Sequence, residues 1–289
     1  MALASLGLRL PNDVRVQPEP RLVRVHDLDS GRQQSYRRDY INVDRARFDA
    51  WLLDMAREHA EVSHQTSFVG PSADGVLLRR GDETVTVRTK LLIGADGANS
   101  SVRRECFAEH PGPSTMLALQ ARLAQGEPLK THVVVFARAL TSFYAWAIPK
   151  AETVLIGCAL EEKGGSRERF ERILAWYGEA LGLDGKVLER SARRLSRPRV
   201  RSDFFPGRGN VLLAGEAAGL VSPSSGEGIS FALASGAAAG RAAVAAFPDR
   251  AYEQSFRHLS RRAMAKTLKA RVIYSPRLRP WALRLPWYP

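Results

Sequence analysis

Two stretches of this chain follow one plan. LLIGADGANSSVRR (residues 91–104) and VLLAGEAAGLVSP (residues 211–223) each carry an apolar strand to a glycine, then an acid, then small residues. Asp96 and Glu216 stand 120 positions apart with further strand-like runs between them. That repetition restricts the fold to a mixed α/β one, because ligands of open α/β sheets sit just beyond the carboxyl ends of strands, where glycine lets the backbone come close. There the two acids would offer acceptor oxygens to the hydroxyls of a ribose or ribityl chain. Past the second junction, Pro223 turns the chain and Gly226-Glu227-Gly228 opens a helix at Ile229. Its bare N–H groups and positive dipole end suit a ligand oxygen that carries or develops negative charge. A polyhydroxylated, electron-accepting cofactor meets all three demands, and flavin is the natural candidate.

The bulk properties agree with a globular protein and exclude several classes. With 289 residues, 45% of them hydrophobic, the chain can bury one large core or two modest ones. No run approaches the roughly 18 apolar residues of a spanning helix, and MALASLGLRLPND has no signal-peptide pattern. The expected location is therefore the cytoplasm. Cys106 and Cys158, the only two cysteines, fit reduced core thiols. The six histidines are scattered, and no metal-ligand spacing or Ser-His-Asp arrangement accompanies them, so no metal is expected and no catalytic side chain is assigned.

Charge is uneven. The formal charge is +13, and from Arg257 onward nine arginines and lysines occur without one acid. Leu259, Met264, Leu268, Val272 and Ile273 recur at roughly helical spacing there, with Trp281, Trp287 and Tyr288 beyond. Such a basic amphipathic segment suits either the inner, anionic surface of a membrane, contacted peripherally, or a helix packed on its own domain. No nucleic-acid motif accompanies it.

The patterning predicts strands at 21–27 and 34–43, a helix from Arg45 capped by Asp44, strands near 61–69, 75–80 and 84–88, and a buried strand in 90–97 that runs into a polar turn. Four more strands fall in 114–160, then a helix near 167–181, a strand near 190–200, and two long helices at the end. The fold class expected is α/β (α+β): an incomplete Rossmann-like domain with an inserted antiparallel-sheet domain and C-terminal helices. The expected bounds are 1–110 and 190–255 for the first, 111–189 for the sheet, and 256–289 for a basic tail.

These motifs resemble the geranylgeranyl-reductase-like branch of the FAD-dependent oxidoreductases, whose fold is shared with aromatic hydroxylases, and most of all the CbrA family. GADGANSSVRR is similar to the family's second FAD motif and GEAAGLVSPSSGEGISFAL to its third. Glu216 stands where much of the superfamily has aspartate, a departure that the CbrA-like group shares. The resemblance implies cofactor contacts at Gly94, Asp96 and Gly97, at Gly215, Glu216, Pro223, Gly226, Gly228 and Ile229, and at Arg45 in YINVDRARFDAWL. YAWAIPKAETVLIGCA is similar to the reductases' substrate signature, which places Tyr144, Trp146 and Pro149 on the substrate side. Here Ile148 replaces the commoner phenylalanine and Ala159 an expected glycine.

No Gly-x-Gly-x-x-Gly turn for the FAD pyrophosphate occurs in the 289 residues, so the chain reads as an N-terminally truncated relative whose FAD binding is weakened or lost. The function expected is an FAD-dependent reductase of an isoprenoid or lipid-like substrate, with NAD(P)H as donor. The alternatives are a flavin monooxygenase of an aromatic or polyketide-like substrate, and a non-catalytic remnant or membrane-surface module. Substrate identity, donor and oligomeric state are not written in these motifs.

Overall fold

The structure is a computed structural model that describes residues 3–127, 129–162 and 164–284. In chain order it runs β1 (Leu22–Asp27), β2 (Arg32–Arg37), α1 (Arg45–Arg57), β3 (Thr66–Ser72), β4 (Gly75–Arg80), β5 (Glu83–Arg88), β6 (Leu92–Gly94) and α2 (Ser101–Cys106). Then come β7 (Thr115–Ala124), β8 (His132–Phe136), β9 (Ala145–Lys150), β10 (Thr153–Leu160), α3 (Ser166–Leu181) and β11 (Val187–Ser196). The last elements are β12 (Gly207–Arg208), β13 (Val211–Leu213), α4 (Ile229–Ala242), α5 (Pro248–Ile273) and α6 (Arg279–Ala282). The chain divides into two compact units, each assembled from three segments.

The first unit holds the chain up to Arg9, Ala56–Thr115 and Ser196–Ala270. Two three-stranded sheets form it, β3-β4-β5 and β12-β13-β6. β6 and β13 run parallel, in the register Leu92↔Val211, Ile93↔Leu212 and Gly94↔Leu213. Leu212 and Leu213 of β13 are fully buried, as the continuous apolar run of a parallel strand favours, whereas β6 is covered less completely and leaves Ile93 36% exposed. Its core gathers Leu212, Leu213 and Leu220 with Phe231 and Ala239 of α4 and with Tyr252, Phe256, Leu259 and Ala263 of α5. Tyr252 is fully buried, and its hydroxyl donates to the Leu213 carbonyl at 2.9 Å, so the phenol loses no hydrogen bond on leaving water.

The second unit holds Leu10–Met55, Met116–Leu195 and the chain from Arg271. Its seven-stranded sheet has the order β11-β7-β10-β9-β8-β1-β2. Strand alternation gives this sheet two different faces. Ala145, Ala147, Val133, Val135, Ile156 and Cys158 pack beneath Phe170, Ile173 and Tyr177 of α3. The opposite face carries Met116, Trp146 and Ala159, with Tyr144, Ile148 and Tyr274 packed against them.

The bounds of the units depart from those the sequence suggests, 1–110 and 190–255 against 111–189. Residues 10–55 belong with the large sheet, because β1 pairs in parallel with β8 from Val23↔His132 to Asp27↔Phe136. The apolar positions Val23 and Val25 are thereby buried. Nor does 256–289 stand apart as a tail: Phe256, Leu259 and Ala263 lie in the first unit's core, whereas Leu268 is 69% exposed. Trp287 and Tyr288 lie outside the described residues. The helix capped by Asp44 forms as expected, the carboxylate accepting from the Arg47 N–H at 3.1 Å.

Candidate functional site: two turns at one sheet edge

Both glycine-acid turns leave neighbouring strands of the first unit. The Ala214 N–H donates to the Gly94 carbonyl at 2.9 Å, so β6 and β13 stay paired up to the turns. Gly94 is required for packing rather than for flexibility. A Cβ there would meet the Val102 Cβ at 2.7 Å and the Leu213 Cδ2 at 2.8 Å, so α2 rests directly on the strand. Gly215 has φ 57°, and its N–H donates to the buried Ser235 hydroxyl at 2.8 Å, tying the second turn to α4.

The two acids differ in employment. Asp96 Oδ1 accepts from the Ser100 hydroxyl at 2.5 Å, and Oδ2 accepts from the N–H groups of Ser101 at 2.6 Å and Val102 at 3.1 Å. It therefore caps α2, a role that satisfies first-turn donors. Glu216 Oε1 accepts from the Ser196 N–H at 2.6 Å. Burial raises the Glu216 carboxyl above its ordinary value, and the hydrogen bond from the Ser196 backbone opposes the rise. An acid raised in the folded state adds stability that is present below the ordinary value of 4.5 and is lost as pH rises through its folded value. In a Glu216→Gln comparison, the wild type should therefore lose stability relative to the variant as pH rises above 4.5, read by denaturant midpoints. A pH-independent difference would refute this account of the side chain.

Between the turns lies a cavity of about 260 Å³ whose wall includes Asn99, Ser100, Arg103, Pro111, Glu216 and Ala217. Arg103, which motif reading passes over, joins its two sides. Only 4% exposed, it donates from Nε to the His110 carbonyl at 2.8 Å and from Nη1 to the Ala217 carbonyl at 3.1 Å. Nη1 and Nη2 also reach the Asp203 carbonyl at 3.3 and 3.2 Å. Burial lowers its guanidinium to about 10, with Asp203 pulling the other way. The signal in the sequence is faint: an arginine in a short helix, aimed at carbonyls rather than at a carboxylate.

The remaining expected residues fall in four places. Gly97 and Gly226 have φ of 80° and 65°, backbone that side chains avoid. Pro223 is buried in the loop before α4. Gly228 is the N-cap of α4 with no side-chain cap, and Ile229 is its first residue. The Ser230 N–H is taken by Glu227 Oε1 at 2.9 Å, while Gly228 contributes no side-chain acceptor to the first turn. In the second unit, Arg45 at the start of α1 pairs with Asp49 at 3.2 Å on the surface. Tyr144, Trp146 and Pro149 lie in or beside β9, with Trp146 and Pro149 buried.

The donor set fits part of an FAD molecule. The Gly226 N–H is spent on the Ser222 carbonyl at 2.9 Å, which leaves the backbone at Glu227 and Gly228 to match ring oxygens, while Glu216 with the Asn99 side chain matches hydroxyls. For a pyrophosphate the described residues provide no Gly-x-Gly-x-x-Gly turn between a strand and a helix. Among the described residues no helix is long and apolar enough to cross a membrane.

This fold with its paired turns is that of an FAD-binding protein, and the family model described as "FAD binding domain" matches residues 32–258. Within that class the chain belongs to the CbrA family. It is 32% identical to Protein CbrA of Escherichia coli O1:K1 over 96% of its own length and 77% of the relative's. The Shigella sonnei protein is also 32% identical, with 96% and 80% covered. Among solved structures, a geranylgeranyl bacteriochlorophyll reductase-like protein from Thermoplasma acidophilum superposes with TM-score 0.81 at 20% identity, covering 96% of this chain and 78% of that one. Klebsiella pneumoniae HpxO, solved with FAD and uric acid, gives 0.64 at 18% identity, with 98% and 80% covered. At such identities the structural matches speak for the fold.

Proposed function

We propose that this protein is an FAD-dependent reductase of an isoprenoid or other lipid-like substrate, with NAD(P)H as electron donor. The observation that carries this reading is the aromatic face of the large sheet. Tyr144 stacks on Phe143 at 4.7 Å and meets Trp146 edge-on at 5.5 Å, and Tyr274 also stacks on Phe143 at 4.7 Å. Met116 and Ile148 complete an apolar group that suits a hydrocarbon chain better than a polar ring. A solved relative in fold is named for geranylgeranyl bacteriochlorophyll reductase, which agrees with that preference.

Bound FAD would supply the hydride chemistry. The chain's own residues would orient it: Glu216 and Asn99 by accepting and donating hydrogen bonds to hydroxyls, and the Glu227–Gly228 backbone by donating to oxygens that gain charge. With no Gly-x-Gly-x-x-Gly turn in the sequence, the polypeptide forgoes several charge-assisted bonds, each worth about 1.5–3 kcal/mol. We expect it to purify flavin-poor and a fusion carrying such a strand–turn–helix to purify yellow; stoichiometric FAD on the unfused chain refutes the weakened binding.

The test of the reductase reading is NAD(P)H oxidation by the flavin-loaded protein with a prenylated substrate under nitrogen. Turnover that requires oxygen would instead favour a monooxygenase. Trp146 offers a specific handle, because its indole lies over Gly157 across the β9–β10 pair. A Cβ on Gly157 would fall 2.6 Å from the indole carbons. Gly157→Val should displace the indole, cost about 1–3 kcal/mol by overpacking, and abolish turnover of a prenylated substrate. Unaltered turnover would remove Trp146 from the substrate wall.

A further inference from the structure

We propose that the segment Ser275–Arg284 of the second unit is a docking site for the phosphate headgroup of an anionic lipid at a membrane surface. This goes beyond the reductase reading and does not rest on it. A cavity of about 360 Å³ opens here, walled by Arg138, Ser142, Ser275, Arg277 and Arg279 over the Phe143 and Tyr274 rings.

Arg279 is the anchor rather than the receptor. It is 3% exposed, bonded through Nη2 to Asp27 at 2.8 Å and to Asp29, and laid over the Phe136 ring at 4.8 Å. Its Nη1 reaches the Ile273 carbonyl at 3.4 Å. Asp29 also accepts from the Arg138 N–H at 3.0 Å, so one carboxylate, its side chain 23% exposed, ties both ends of the cavity rim. The two aspartates more than offset Arg279. Arg138 and Arg277 are exposed and form no ion pair among the described residues, so the rim itself is cationic.

The same locked turn holds two apolar side chains outward. Leu278 is 51% and Trp281 66% exposed, and the Arg284 guanidinium lies 4.6 Å over the Trp281 ring. An exposed tryptophan and leucine between arginines match the boundary of an anionic bilayer, where an indole sits at headgroup depth and arginines meet phosphates. Each Arg near such a surface contributes about 1 kcal/mol, so the two rim arginines together amount to about 2 kcal/mol, or roughly 30-fold in partitioning.

The experiment is flotation of the full chain with phosphatidylcholine vesicles, with and without phosphatidylglycerol, and with glycerol 3-phosphate as soluble competitor. The expected result is binding only when phosphatidylglycerol is present, reduced roughly 30-fold in R138A/R277A and weakened in W281A. R261A/R262A, which removes the same charge from exposed positions on α5, should float as the wild type does. Equal loss in R261A/R262A, undiminished binding by R138A/R277A, or capture of glycerol 3-phosphate without any vesicle binding would each overturn the proposal. Circular dichroism spectra matching wild type certify that the exposed substitutions leave the fold intact.

Discussion

Arg103→Met should lower the stability of the first unit by about 3–5 kcal/mol, because it removes the donor to three backbone carbonyls at once. The thermal midpoint should fall by about 10 °C for a chain of this size. Arg103 serves the carbonyls of His110, Asp203 and Ala217, which lie in three separate stretches of chain. Methionine fills much of the volume but donates nothing, and each buried acceptor left without a partner costs about 1–3 kcal/mol. The guanidinium also lies over Phe205 at 5.9 Å, whose ring packs edge-on against Phe107 at 4.9 Å and stacks on His110 at 4.0 Å. Arg103→Lys should not rescue the loss, because one ammonium cannot span the three sites that a planar fork reaches. A midpoint within about 2 °C of wild type for the Met variant, less than about 1 kcal/mol, would show that water replaces the guanidinium and that the joint between the turns lies elsewhere.

What the sequence discloses about this site is local. Apolar runs that end in glycine mark β6 and β13, and their likeness to each other anticipates a shared edge. The fate of each acid is not local in the same way. Asp96 stands four residues before Ser100, and once the chain curls into α2 the nearest donors are the N–H groups of that helix, so the carboxylate is spent on a cap. Glu216 finds its donor at Ser196, on a segment that no motif connects with it. Arg103 is harder still to foresee, since backbone carbonyls have no signature in the side-chain code.

The division into units follows the same rule. Alternation in LVRVHD announces a strand, but its parallel partner β8 begins at His132, more than a hundred residues on, and only packing selects it. Likewise the spacing of Leu259 and Ala263 declares an amphipathic helix without saying what it covers; the first unit's core supplies that surface. The Arg279–Asp27 pair joins positions near the two ends of the sequence. Long-range pairing of this kind depends on loop closure and burial, to which a window of neighbouring residues is blind.

His132 should make the second unit acid-labile between pH 6.5 and about 4. Burial, reinforced by the Arg38 charge, lowers its imidazole from 6.5 to about 4. The ring sits edge-on to Tyr40 at 5.4 Å, and its Nε2 is buried without a hydrogen-bond partner. Arg38 in turn lies over Tyr40 at 5.0 Å, so a proton on His132 would enter a site that already holds a cation beside two phenols, Tyr40 and Tyr36. The folded protein thus keeps the ring neutral while the unfolded chain takes up a proton below pH 6.5. The stability that goes with neutrality is complete above that pH and is lost progressively as pH falls toward the folded value. At 1.36 kcal/mol for each pH unit, the loss reaches about 2–3 kcal/mol after allowance for the partial exposure of the residue. His132→Phe retains an aromatic ring beside Tyr40 and removes the titration. Its denaturant midpoint, subtracted from that of the wild type at each pH, cancels the parallel contribution of His26, whose imidazole is also lowered by burial and by Arg24. That difference should be flat above pH 6.5 and swing in favour of the variant as the pH approaches 4; a difference that stays flat throughout would mean that water or a neighbouring phenol satisfies the protonated ring inside the fold.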